Sequence, residues 1–551
     1  MGGPDVSIEV EHDWHSVFAT PKPRLGERAK THLLLLLCII WIGFGLVGHT
    51  PWKPDELQTI SVVKHFHEGG DWAAPAMAGE PFLKKPPLYY VTAATFAQLL
   101  TPFLPAHDAA RLSTGLWMAL TLVLVGLTGR ELWGVGYGRQ ATLILLGSIG
   151  LVYSAHTLNP DVAGLTGYAM VFYGLALAPR KPLRAGVLLG TGAGIGFLAK
   201  GPVPAEVATI TALLLPVLFC HWRRTSYLGV LLVACIAALP WIAPWVIEMK
   251  QQSPEMFQAW LASLRTGELN FGYFAKTLSW YAWPALPLCA WTLWRIRPDH
   301  PSIQIALLYF LVIFVALSIG ANNRDINALP LLLPMALIAT PAVDTLRRGA
   351  ASALDWFGIM LFGTLGFLVW LGWFAMMTGV PARLAMRMQK LSPTYIPHFD
   401  WMAFLLACAL TTIWAAVVFK ANKRSNRAAV TDWAVGMAMA WGLIMTLWLP
   451  WLDAAKSYGS TFESLRRALP DHYACIVGRN IGEAQRAALD YHANVRVQRF
   501  DITPGMNCDL YLIQDERGNA KIDPGPGWRL IWEGRRPSDR RESFRLYRRL
   551  D

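Results

Sequence analysis

Apolar stretches, each near the length that crosses a bilayer, recur through most of the chain and leave it few folds. The first, residues 33–48, reads LLLLLCIIWIGFGLVG. Others lie near 88–104, 111–129, 140–157, 162–178, 184–199, 203–220, 227–247, 279–294, 303–319, 327–344, 356–378, 399–419 and 431–452. About 20 apolar residues span the hydrocarbon as a helix, and in lipid only helices and closed barrels satisfy their own backbone. The composition agrees: 54% of residues are hydrophobic and only 16% charged, a balance foreign to ordinary soluble domains. No small-residue cleavage site follows the first run, which therefore reads as a retained anchor.

Charge sets the topology. Lys22, Arg24, Arg28 and Lys30 place the N-terminus in the cytoplasm, and further basic residues fall in every second connector. These are Arg130/Arg139, PRKPLR (179–184), Arg223/Arg224, Arg295/Arg297, Arg347/Arg348 and KANKRSNR (420–427). All of them face inward together only if 88–104 does not cross. That stretch, LYYVTAATFAQLLTPFL, is rich in aromatics and interrupted by Pro102, which suits an interfacial helix. The expectation is thirteen transmembrane helices in residues 1–452, with a first outer loop over about 50–110. The net charge of +12 is thus topological rather than gathered into a nucleic-acid groove, and no nucleic-acid partner is expected.

After residue 453 the pattern changes. YACIVG (473–478) and DLYLIQ (509–514) read as short buried strands with a helix near 481–490 between them. WRLIWEG and FRLYRR follow as alternating strands, so 453–551 is expected to form a small α/β domain outside the membrane. Cys475 and Cys508 lie in it, either as a disulfide or as two buried thiols. The other five cysteines lie in apolar stretches and read as inert core residues.

Under this topology, charged residues from distant parts of the chain meet at one outer face, although none of them was used to set it. HTPWKPDELQTI brings Asp55 and Glu56 to the end of the first span. The pair fits a helix start after Pro54 as readily as a site for a polar headgroup. In FLKKPPLYY, Lys84 and Lys85 precede a rigid Pro-Pro. They could snorkel to the headgroup layer or hold a phosphate, and rigidity favours the phosphate. LNPD puts Asp161 at a helix start, GIGFLAKGP puts Lys200 at a span end, and NNRDINALP puts Arg324 at the edge of a proline-rich span. An arginine at that depth ordinarily has an anionic partner.

An acidic pair after the first span, an aromatic-x-x-Lys-Pro-Pro-x-Tyr motif, a second Asp in the next outer loop and a Lys-Gly-Pro together resemble one family. It comprises the polytopic glycosyltransferases of lipid-linked sugars related to protein O-mannosyltransferases. Within it the chain looks most like the bacterial transferases that place 4-amino-4-deoxy-L-arabinose on lipid A. The resemblance implies a GT-C-like α-helical membrane protein of the bacterial inner membrane, monomeric, surrounded by membrane lipids and active on the periplasmic side. It implies an undecaprenyl-phosphate-linked sugar as donor, lipid A or lipopolysaccharide as acceptor, and resistance to cationic peptides.

By motif matching, Asp55 corresponds to the principal acid, Asp161 to the second acid and Lys85 to the phosphate-contacting lysine. Arg324 stands where a basic residue often precedes a Leu-Pro span. Lys84, Lys85, Lys200 and Arg324 are expected on donor or acceptor phosphate, with Glu56, Tyr89, Tyr90 and Arg265 lining the substrate. No cofactor is required, although a divalent cation held partly by Asp55 is open. Two departures bear on the sugar more than on the reaction class: aminoarabinose transferases usually carry Glu where this chain has Lys84, and a Lys-containing segment where it has NNRDINALP.

Other readings remain at this stage. The acceptor could be a Ser/Thr hydroxyl or a polysaccharide. A lipid or sugar flippase would favour internal repeats and ionisable groups at the bilayer midplane, whereas the charges here cluster at one edge. HFHE (65–68) could offer a metal His65 and His67, but residues at i and i+2 point to different helix faces.

Overall fold

The computed structural model describes residues 26–264, 270–320, 322–420, 426–500, 508–516, 524–539 and 541–550. Arg265, Lys22, Arg24 and most of the 420–427 cluster lie outside these residues. Each of the thirteen stretches expected to cross is helical over most of its length. Among the described residues, seven helices are individually long and apolar enough to span a bilayer, including Ala106–Trp133, Thr225–Gln252 and Arg348–Thr378.

The remaining stretches are shorter or broken, for local reasons. The 140–157 stretch divides into Tyr137–Leu146 and Ile149–Ser154 at Gly147 and Ser148. The Trp433 indole donates to the Gly147 carbonyl at 2.9 Å, which satisfies an acceptor the break leaves over. The 327–344 stretch becomes a 3₁₀ turn, Asp325–Leu331, followed by a helix, Leu332–Ala339. Pro330 and Pro334 supply no N–H for a continuous α-helix. Residues 88–104 form the short helix Leu88–Leu100, in keeping with an interfacial segment.

Helices Pro160–Leu177 and Pro182–Lys200 form an antiparallel pair whose close approach decides where two charged residues stand. A Cβ on Gly167 would come within 2.6 Å of the Gly196 backbone nitrogen, so only glycine permits this crossing. The consequence is that the N-terminal end of one helix, bearing Asp161, meets the C-terminal end of the other, bearing Lys200. The Lys200 stem lies along the face left open by Gly164.

The first outer loop holds the helix Asp55–His67, a two-stranded hairpin (Ala76–Met77 with Glu80–Pro81) and the helix Leu88–Leu100. The tail forms a five-stranded sheet in the order Gln498–Arg499, Ile476–Arg479, Leu510–Glu516, Glu542–Arg549, Trp528–Gly534. The first three strands are parallel, with Ile476 opposite Leu510, and the last two pair antiparallel. The helix Glu483–Ala493 lies between the first two strands in sequence, as a right-handed parallel crossover requires. Cys475 and Cys508 form a disulfide, which resolves the two alternatives for that pair.

The tail is fastened to the first outer loop by charge. Asp490, on the tail helix, accepts from the Ser61 hydroxyl at 2.8 Å and from Lys64 Nζ at 3.1 Å. Lys64 also donates to the Asp490 and Asn494 oxygens, at 2.7 and 2.8 Å. Lys53 reaches Glu542 at 3.1 Å, and Arg486 pairs with Glu80. The Asp490→Ala variant removes the carboxylate that Ser61 and Lys64 share, while Lys64 keeps the residue-490 carbonyl and Asn494. Losing a charge-assisted hydrogen bond costs about 1.5–3 kcal/mol. The purified Asp490→Ala protein is expected to unfold at lower temperature, and protease should release its tail first; unchanged stability would show that the seam carries no load.

Candidate active site

Two ion-paired groups, both at the expected outer edge, make up the site. In the first, Asp161 is nearly inaccessible and receives Lys85 Nζ at 2.7 Å and Lys200 Nζ at 3.0 Å. The backbone turn explains the acid's placement: the Asn159 side chain caps the helix by accepting from the Asp161 N–H, with Pro160 in the first turn. The Lys85–Asp161 contact is an aligned hydrogen bond, whereas the Lys200 contact is not, so Lys200 keeps donors to turn elsewhere. Two ammonium groups on one buried carboxylate leave one net positive charge in a poorly solvated setting. Such a charge favours an anion.

In the second group, Arg324 donates to the Asp55 carboxylate, and both side chains remain partly exposed. Asp55 is the first residue of its helix, after Pro54, so the helix-start reading and the site reading hold together. Tyr90 is buried within electrostatic reach of both Asp161 and Asp55, and Arg324 is within reach of Lys200. The two groups therefore share one neighbourhood. Beside them, Asp325 accepts from the Tyr273 hydroxyl at 2.7 Å.

Not every residue singled out from sequence stands on this surface. Lys84 is exposed and pairs with Glu483 of the tail. Tyr89 is buried, with its hydroxyl 2.6 Å from Thr114 Oγ1 and accepting from the Asn159 N–H at 3.1 Å. It thus braces the turn that carries Asp161. Arg265 falls outside the described residues.

Glu56 turns away from its neighbour Asp55 into the interior. Its carboxylate accepts from Arg111 Nε at 3.0 Å, the Trp52 N–H at 2.9 Å and the Leu158 N–H at 2.9 Å. Arg111, fully buried, also donates to Asp108 at 2.7 Å and to the carbonyls of Leu46 and His49. Burial alone would push the Glu56 carboxyl up, but the Arg111 guanidinium reverses this and holds it below its usual range.

Sequence reasoning missed Arg111 and Asp108. The pair at i, i+3 in AHDAAR was visible, but charges at the end of a long apolar span look like ordinary solvated helix-end charges.

Among the described residues, no group of three His, Cys, Asp or Glu side chains converges as metal ligands would. The Asp55 carboxylate is turned to Arg324 instead.

The Arg111→Met variant would leave Glu56 and Asp108 buried without their cation. A loss of about 3–5 kcal/mol is expected, read as thermal unfolding in detergent. Because the folded Glu56 pKa lies below the unfolded one, its contribution is complete above the usual carboxylate range and is lost as pH falls through the folded value. Wild type should therefore lose stability on acidification more steeply than Glu56→Gln, and parallel curves would remove Glu56 from this role.

Residues 84–247 match the family described as dolichyl-phosphate-mannose-protein mannosyltransferase. The chain is 26% identical over 435 residues to an undecaprenyl phosphate-alpha-4-amino-4-deoxy-L-arabinose arabinosyl transferase of Pseudomonas savastanoi pv. phaseolicola, covering 75% of each chain. A second protein of that name, from Proteus mirabilis, is 25% identical over 410 residues, with 70% of each covered. In fold the chain is similar to the crystal structure of ArnT from Cupriavidus metallidurans bound to undecaprenyl phosphate. The TM-score is 0.68 at 15% identity, over 95% of this chain and 98% of that one. In fold and in sequence the chain is similar to these membrane transferases of lipid-linked sugars, and part of it matches the protein mannosyltransferase family.

Proposed function

We propose that this protein transfers 4-amino-4-deoxy-L-arabinose from undecaprenyl phosphate to a phosphate group of lipid A, on the periplasmic side of a bacterial inner membrane. The observation that carries the reading is the Lys85–Asp161–Lys200 group, two lysines on one buried carboxylate at the ends of the helices. The relatives' names and the family match support the donor class.

The chemistry follows from the charges. The bond between the sugar's anomeric carbon and the donor phosphate oxygen breaks, and its electron pair goes to undecaprenyl phosphate. A lipid A phosphate oxygen forms the new bond to that carbon. Negative charge grows on the leaving phosphate, where Lys85 and Lys200 are already placed to receive it, so little reorganisation is needed at the moment of reaction. Asp161 fixes both lysines. A phosphate acceptor is already ionised and needs no base.

Asp55, paired with Arg324, then orients the reactants and supplies a counter-charge to the sugar's ammonium. A hydroxyl acceptor would instead require Asp55 to take a proton, and it would have to leave Arg324 first.

Two measurements test this. Lys85→Met keeps length and apolar stem but removes the charge, leaving Lys200 as the cation on Asp161, and should lower transfer about 10²–10³-fold in the folded protein, the folded fraction being read from its unfolding curve. Full activity would reduce Lys85 to a lysine that merely reaches the headgroup layer. Separately, purified protein given lipid-linked aminoarabinose should label lipid A and leave a Ser/Thr peptide unlabelled, as read by mass spectrometry. Sugar on the peptide alone would replace the acceptor while keeping the glycosyltransferase class.

A further inference from the structure

Near Asp55, the basic side chains that carry the outer face are already matched to carboxylates: Lys85 and Lys200 to Asp161, Arg324 to Asp55, Lys53 to Asp539 and Glu542. Lys456 is different. It ends the helix Leu449–Lys456, is partly buried, and among the described residues no carboxylate lies within ion-pair distance of its Nζ. The ammonium instead stands over two aromatic rings, 4.4 Å from the Trp52 centroid and 6.0 Å from that of Tyr153.

The neighbouring acids are committed elsewhere. Asp453, one turn earlier on the same helix, accepts from the Thr50 N–H at 3.0 Å, the Thr50 hydroxyl at 2.7 Å and the Trp52 indole at 2.9 Å. Glu56, within electrostatic reach of Lys456, is enclosed by Arg111 and two backbone N–H groups. Arg536, itself paired with Asp539 at 2.6 Å, donates to the Lys456 carbonyl at 3.2 Å.

This cation adjoins the reacting region. Trp52 lies three residues before Asp55, and Tyr153, 44% exposed, is within electrostatic reach of Asp55. The ammonium is thus held by ring faces, partly desolvated, with no carboxylate in ion-pair contact among the described residues, and is linked to the principal acid through Trp52 and Tyr153. Ring faces fix its position and leave its charge unneutralised, which a carboxylate partner would not.

A transfer between two phosphates needs two cationic subsites, because both anions crowded onto one would repel each other. The Asp161 group supplies one. We infer that Lys456, set by Trp52 and Tyr153, forms the other and binds the acceptor's phosphate. This inference rests on the proposed phosphate-to-phosphate transfer. It makes Lys456 a residue that determines acceptor affinity, while Lys85 and Lys200 serve the donor. No bond to Lys456 forms or breaks, and its contribution is electrostatic.

The test uses the full-length protein in nanodiscs and measures binding separately from transfer. Fluorescent lipid A and undecaprenyl phosphate are each titrated against wild type, Lys456→Gln and Lys456→Arg, with unfolding temperature recorded for all three. Lys456→Gln should weaken lipid A binding roughly tenfold, as expected for losing a charge-assisted contact, and change undecaprenyl phosphate binding less than about twofold. Lys456→Arg should recover part of the lipid A affinity, which a purely packing role would not predict. In transfer assays the loss should appear as a raised KM for lipid A, with the donor KM held. Equal weakening of both ligands, or of neither, would overturn the assignment. If wild type binds lipid A but places no sugar on it, the proposed function fails, while the binding comparison still decides Lys456.

Discussion

A guanidinium with no access to water, Arg111, holds the outer end of this molecule in shape. It bridges Glu56 and Asp108 and takes the carbonyls of Leu46 and His49, so the end of the first span, the first outer helix and the second long helix meet at one side chain. Glu56 extends the connection to the Leu158 N–H, in the turn that leads to Asp161. Two catalytic candidates more than a hundred residues apart, Asp55 and Asp161, are thereby referred to one buried network. Such a network is expensive to desolvate, and its return is geometry: every member has a hydrogen-bond partner and few alternative arrangements satisfy them all.

The same outer edge sorts its charges by function. The Arg111 network, one guanidinium between two carboxylates, and the ion pairs of the tail seam hold segments together and carry no excess of cations. The Asp161 group is deliberately unbalanced, with two cations on one acid, and it is the unbalanced charge that can receive a phosphate. Helix packing makes the imbalance possible. Glycines at 167 and 196 let two helices approach until Lys200 reaches the acid from one side, while the Pro86–Pro87 kink presents Lys85 from another. Apolar packing in the membrane thus places polar chemistry at its edge.

The sequence made much of this legible. Stretch length and alternating basic connectors gave a polytopic helical protein, and short alternating runs after residue 453 gave a sheet with one crossover helix, although the two-residue strand Gln498–Arg499 and the outer-loop hairpin passed unnoticed. Asp55, Lys85, Asp161, Lys200 and Arg324 stood out in sequence because each is a charge at the end of an apolar stretch, four of them beside a proline or glycine, and the structure brings them into two ion-paired groups. Arg111, Asp108 and Lys456 were not, because nothing local separates a buried helix-end charge from a solvated one. That distinction depends on which segments pack above it, here the first outer loop and the tail, and such long-range neighbours leave no periodicity to read.

Neighbouring residues show how far local pattern can mislead about role. Asp55 and Glu56 are adjacent, acidic and at a helix start, yet one faces the site and the other the interior, because successive helical positions are about 100° apart. Lys84 and Lys85 divide in the same way: Lys85 meets Asp161 and Lys84 meets Glu483 of the tail. Lys84 is also where the chain departs from the Glu that aminoarabinose transferases usually carry. In this structure that departure is matched by an acid on the tail domain, so the changed charge is absorbed at the seam between loop and tail. The Lys85–Asp161–Lys200 group keeps its net positive charge whatever stands at position 84, and the departure bears on how the loop is fastened rather than on how a phosphate is held.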